Sequence, residues 1–197
     1  MRRKILLVLF CALCAAALWP SAAEPAAAQG GRMYIDGTVI GISGRAVSRS
    51  RPFRVIVNSF TSEGEARSLN EALESGGQDR LLDELRRLNA GRVSVGGGVG
   101  VRANAIIRTP TDDGGTRLQV IYERTVNFFE LRHGTRSQDY RFGYAEIFLD
   151  RRGRGQGTFI PAARIRMRDD GTWEVIDFGV YPARIIGVRA TGSVPAR

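Results

Sequence analysis

Three stretches of this chain gather arginines closely enough to grip an anion. They are Arg45 to Arg54 (RAVSRSRPFR), Arg151 to Gly157 (RRGRGQG) and the alternating Arg164, Arg166 and Arg168. A guanidinium stays charged at any working pH and holds carboxylate or phosphate oxygens in a planar fork. If they meet in space, Arg45, Arg49, Arg51, Arg54, Arg151, Arg152, Arg154, Arg164, Arg166 and Arg168 form an anion-binding surface. Single-stranded nucleic acid also calls for stacking aromatics among the cations. Phe53 alone is present, so nucleic acid is disfavoured as a partner.

The other candidates lack partners of their own. His133 is the single imidazole, and a Ser–His–acid triad would have to use it with Glu130 or Asp139. No G-x-S-x-G elbow accompanies it, and Ser43 and Ser137 stand in turn-like settings. Zinc normally takes several His or Cys ligands, so one His argues against it. Asp112-Asp113 and Asp169-Asp170 are paired carboxylates such as glycosidases and calcium sites use. Each pair precedes Gly at a turn, where Asp is favoured for its backbone hydrogen bonding. Gly98-Val99-Gly100-Val101-Arg102-Ala103 fits G-x-G-x-x-A, but a dinucleotide site needs a helix to begin there. Strand-like sequence runs on to Pro110 instead, and a glycine-rich bend between strands is expected. No catalytic, cofactor or metal set assembles. A binding or structural domain is therefore expected before an enzyme, with a hydrolase built on Asp, Glu and His133 as the remote alternative.

Composition sharpens this. Met1-Arg2-Arg3-Lys4 is basic, Ile5 to Trp19 is an apolar run of 15 residues, and Ala26-Ala27-Ala28 offers a small-residue cleavage site. The run is short for a bilayer span and fits a cleavable secretory signal over residues 1–28. Cys11 and Cys14 lie inside it, preceded by Phe10 and Leu13 where a lipoprotein signal needs a small residue. The expected mature protein, residues 29–197, is a single domain with no Cys, no Lys and one His, exported to the periplasm or beyond. Losing Arg2, Arg3, Lys4 and Glu24 takes the net charge from +9 to +7. Such a charge favours anionic envelope lipid or polysaccharide.

The elements that must position these residues are mostly strands. Tyr34 to Ile42 and Phe53 to Phe60 are rich in β-branched and aromatic residues, with Phe53, Val55 and Val57 on one face. Ser62 and Glu65 match a capping box. Ala66, Leu69 and Leu73 follow on one face up to Gly76-Gly77, and a second stripe uses Leu81, Leu82, Leu85 and Leu88. A helical hairpin over about 62–90 is expected. Then come Arg92 to Val95, Val101 to Thr109, Thr116 to Arg124 and Tyr140 to Asp150. In the last of these Tyr140, Phe142, Tyr144 and Phe148 share a side and are candidate lining for a carrier that holds a small apolar ligand or lipid in a barrel or sheet–helix interior. Asp169-Asp170-Gly171 joins Gln156 to Arg168 with Thr172 to Phe178. The implied register sets Met167 opposite Trp173, Ile165 opposite Val175 and Arg166 opposite Glu174. Pro182 makes Val180 to Arg189 an edge or bent strand. Eight or nine strands with one inserted pair of short helices make an α+β fold on a mostly antiparallel β-sheet, closed as a barrel or folded as a sandwich.

The order of the helical block (SEGEARSLNEALESGGQDRLLDELRRLNAGRVSV), the FGYAEIFLD strand and the PAARIRMRDDGTWEVIDFG hairpin resembles a group of uncharacterised exported bacterial proteins. The resemblance covers about Tyr34 to Arg189. Its motifs are structural, and it carries no residue role over to this chain.

Overall fold

Alternation of apolar and polar residues makes strands of nearly every segment in the computed structural model, which describes residues 31–41, 50–124, 140–167 and 173–194. Among these, the strands are β1 (Met33–Ile40), β2 (Arg51–Val57), β3 (Gly91–Val95), β4 (Val101–Ala103), β5 (Ala105–Pro110), β6 (Thr116–Glu123), β7 (Phe142–Leu149), β8 (Arg154–Met167), β9 (Trp173–Phe178) and β10 (Ala183–Gly192). One helical element, α1 (Glu63–Leu85), follows β2. The sheet is antiparallel in the order β4-β3-β2-β1-β10-β8-β7-β6-β5, and β9 joins β8 alone.

The two ends of that order are consecutive in the chain, separated by Asn104. The sheet therefore curls until its edges meet through one bent strand, giving a nearly closed barrel. The expected strand Val101 to Thr109 divides at this residue because its first half pairs with β3 and its second with β6. Asn104 is 3% exposed and stitches the junction. Its amide donates to the Ile121 carbonyl (2.9 Å) and its own carbonyl accepts from Ala90 (3.2 Å). Its side-chain Oδ1 accepts from the Glu123 amide (2.8 Å), and Nδ2 donates to the Leu85 carbonyl at the end of α1 (2.9 Å). The same side chain thus closes the barrel and satisfies a helix-terminal carbonyl.

Inward positions pack into one apolar cluster, including Ile35, Val39, Phe53, Val55, Val57, Leu118, Val120, Ala145, Ile147, Ile185 and Val188. A second cluster lies on the outer face of β6, β7 and β8. There Ile121, Phe142, Tyr144, Ile160, Ala163 and Ile165 are covered by Leu69, Leu81, Leu82 and Leu85 of α1 and by Trp173 of β9. Tyr140, Phe142 and Tyr144 are buried, whereas Phe148 is 45% exposed. Of the stripe offered as lining for a barrel or sheet–helix interior, Phe142 and Tyr144 lie between the sheet and α1, while the alternating Ala145, Ile147 and Leu149 fill the barrel.

β8 belongs to both layers. Its first half pairs with β10 and β7, and its second half leaves the barrel to pair with β9. Pro161 sits where the β7–β8 register shifts, a place that spares a ladder amide. Gln78 of α1 holds the departing arm by both amide atoms. Nε2 donates to the Ile165 carbonyl (2.6 Å), and Oε1 accepts from the Ile165 amide (3.2 Å). Trp173 Nε1 donates to Asn70 Oδ1 at 2.6 Å, and Gln119 Nε2 donates to the Trp173 carbonyl at 2.9 Å. Among the described residues, no buried side-chain nitrogen or oxygen lacks a partner.

One expectation needs correction, and one pair of alternatives is decided. The pair of short helices is one helical element. Its capping box forms between Ser62 and Glu65, and the glycines are absorbed as a kink at Gly77 (φ 64°, ψ −151°). The final strand is bent but is no edge, since β10 lies between β1 and β8 with register shifts on both sides. Pro182 immediately precedes it, so no ladder hydrogen bond is demanded of its missing N–H. The β8–β9 register agrees with expectation at Ile165–Val175, Arg166–Glu174 and Met167–Trp173.

Candidate anion-binding face

Strand alternation decides which arginines point outward, and register decides which of them meet. On β2, Phe53, Val55 and Val57 face the core, so Arg54 faces out. Its partner on β1 is Asp36; the partner of Asp36 on β10 is Arg189; the partner of Arg189 on β8 is Arg154. Four neighbouring strands therefore carry one transverse row, Arg54–Asp36–Arg189–Arg154. At about 4.8 Å between strands, the row is roughly 14 Å long. Arg54 Nε donates to Asp36 Oδ1 at 2.6 Å, and this hydrogen bond is the main reason its guanidinium pKa is raised further. The guanidiniums of Arg154 and Arg189 are exposed and have no ion pair among the described residues.

Arg92 of β3 and Arg102 of β4 are cross-strand partners on the adjoining strands, both exposed. Arg92 Nη1 donates to the carbonyls of Gly100 (3.2 Å) and Val99 (3.4 Å) and so holds the glycine loop between β3 and β4. Between that loop and the outer face of β1 and β2 lies an open groove of about 560 Å³, with Asp36, Pro52, Arg54, Ile56, Arg92 and Val99 among its walls.

The ten arginines singled out from the sequence are only partly brought together. Arg54 and Arg154 share the row. Arg51 falls on the inward phase of β2, at the end of the strand and exposed beside the glycine loop. Arg151 reaches across to donate to the Asp113 carbonyl (3.1 Å). The Arg152 and Arg154 backbone amides donate to Asp150 Oδ1 (2.8 and 2.9 Å), so this turn spends its amides on its own carboxylate. Arg164 and Arg166 lie on the far half of β8, roughly 33 Å or more along the strand from Arg154. Arg166 is paired there with Glu174 (3.3 Å). Arg45, Arg49 and Arg168 lie outside the described residues, as do His133, Glu130, Asp139, Asp169 and Asp170. Sequence grouping missed Arg189, Arg92 and Arg102, which stand alone in the chain. For Arg92 and Arg102 the signal was outward alternation against Val93 and Ala103. Arg189 offered none, because the register shift between Ile185 and Val188 sets both on one face although they differ in phase.

The remaining motifs resolve into turns. Asp113 Oδ1 accepts from Thr111 Oγ1 (2.5 Å) and the Gly115 amide (3.1 Å), which holds its carboxyl below the usual carboxylate range. Gly98 to Ala103 leads into strand β4, so no helix N-terminus faces a pyrophosphate there. Among the described residues, no group of three or more His, Cys, Asp or Glu side chains could hold a metal ion. Guanidiniums on a rigid ladder can bind and orient an anion, but they offer neither a nucleophile nor a titrating proton. Comparison with known protein families, curated proteins and solved structures finds no match to this chain.

Proposed function

We propose that this protein is an exported, non-enzymatic β-barrel that holds an anionic component of the cell envelope against the row Arg54, Arg189 and Arg154. One observation carries the reading: register places three guanidiniums and a single carboxylate side by side on four strands. Like charges this close repel one another, and an anion laid along the row relieves that repulsion. The net charge of +7 expected of the exported chain adds a long-range field that favours the same partners. The outer face bearing Arg54, Asp36 and Arg189 is the inverse of a membrane-spanning barrel, whose outside is apolar. Peripheral contact is therefore the mode proposed.

The test is association with anionic vesicles or an anionic polysaccharide across a salt series. Binding should weaken steeply as the Debye length falls from about 30 Å at 0.01 M to about 8 Å at 0.15 M. Absence of binding to every such surface at low ionic strength ends the proposal.

A further inference from the structure

The groove beside the row has features that a bare anion surface does not require. Gly98 forms part of its wall, and the fold makes no demand for glycine there. Its backbone stays outside the left-handed region, and a Cβ added to it would meet nothing within 4 Å. Glycine free of internal steric need is suited to a place where another molecule approaches the backbone closely. Val99, the next residue, is 84% exposed, an aliphatic side chain left in solvent beside Arg92 and Arg54. Ile56 and Pro52 line the same groove from β2. Cationic and aliphatic groups are thus interleaved within about 560 Å³, a volume in the range of small-molecule sites.

A hydrated polysaccharide would use the guanidiniums and leave Val99, Ile56 and Pro52 against water. A phospholipid uses both sets: its phosphate suits the arginine forks, and its glycerol and first methylenes suit the aliphatic wall. Resting on the anion-binding reading of the row, we infer that the groove takes the head group and first methylenes of an anionic phospholipid at a bilayer surface, with Val99 entering the interface.

The experiment compares two probes at one low ionic strength. One is vesicles of phosphatidylglycerol in phosphatidylcholine; the other is dextran sulfate. The variants are Val99→Ser and the double variant Val99→Ser/Ile56→Thr, both neutral in charge, with thermal midpoints recorded as the folding control. Vesicle affinity should fall about fivefold in the single variant and further in the double, while dextran sulfate affinity stays within about twofold. Vesicle binding unchanged in both variants overturns the inference, as does an equal loss on both probes. Wild-type protein that binds dextran sulfate and ignores the vesicles overturns the lipid assignment while the row reading stands. Binding to neither probe removes the row reading, and the groove assignment falls with it.

Discussion

Arg54 Nε donates to Asp36 Oδ1 at 2.6 Å across the β1–β2 ladder, and Asp36 is the one carboxylate in the row that continues to Arg189 and Arg154. The pair is half exposed, with side chains at 57% and 45%, so solvent screening leaves it little part in stability. Its larger effect is on the face. Asp36→Asn removes the local anion and releases Arg54. Affinity for anionic vesicles at low salt should rise about fivefold, the equivalent of ~1 kcal/mol for one charge near such a surface. The denaturation midpoint should scarcely move.

Asn104 is the residue on which barrel closure depends. Asn104→Ala leaves the Glu123 amide without its partner at the junction and takes from the Leu85 carbonyl one of its two donors, the Leu88 amide remaining; the unpaired amide alone costs about 1–3 kcal/mol. Urea denaturation should show that loss. Hydrogen exchange should quicken first at Glu123 and at position 104, the amides bonded across the junction.

Gly143 on β7 stands directly across the ladder from Tyr122, whose ring occupies the place a Cβ would take. Tyr122 is 7% exposed and packed with the barrel interior, so the ring has little room to retreat. Gly143→Ala should destabilise by about 1–3 kcal/mol through overpacking. In a Tyr122→Leu background the same change should have a smaller effect, which a double-mutant cycle measures.

Acid and alkali act on different groups. Asp113 is held below the ordinary carboxylate range chiefly by the Thr111 hydroxyl, and Asp150 chiefly by the Arg154 amide. The unfolded chain therefore binds these protons more readily. Their stabilising contribution is present above about pH 4 and is lost as pH falls through the lower folded values. Burial pushes Tyr144 the other way, up to about 12. Its contribution is complete below about pH 10 and is lost as pH rises toward the folded value. Midpoints measured across pH should fall at both ends, with Asp150→Asn flattening the acid limb and Tyr144→Phe the alkaline one.

What could be read in advance was local. The Ser62–Glu65 box, the inward set Phe53, Val55 and Val57, and the Ile165–Val175 register each rest on residues close in sequence or on a period of two. What escaped was set by long-range pairing. Nothing near Asn104 announces that the strand through it serves two edges, because its partners Leu85 and Glu123 are each 19 residues away. The choice between barrel and sheet–helix interior for Phe142 and Tyr144 stayed open for a related reason. Alternation marks two faces, but only the cover supplied by α1 and β9 makes the outer one apolar. The row itself joins Arg54 to Arg189 through Asp36, and arginines grouped by chain proximity went largely elsewhere.

The most direct measurement is vesicle affinity at low salt for two double variants that remove the same charge. Arg154→Ala/Arg189→Ala strips two cations from the row; Arg164→Ala/Arg166→Ala strips two from the far half of β8. The first should lose about thirtyfold in affinity, at ~1 kcal/mol per charge, with a shallower salt dependence. The second should lose no more than about threefold. Equal losses in the two would mean that net charge alone governs binding and that the row has no special part in it.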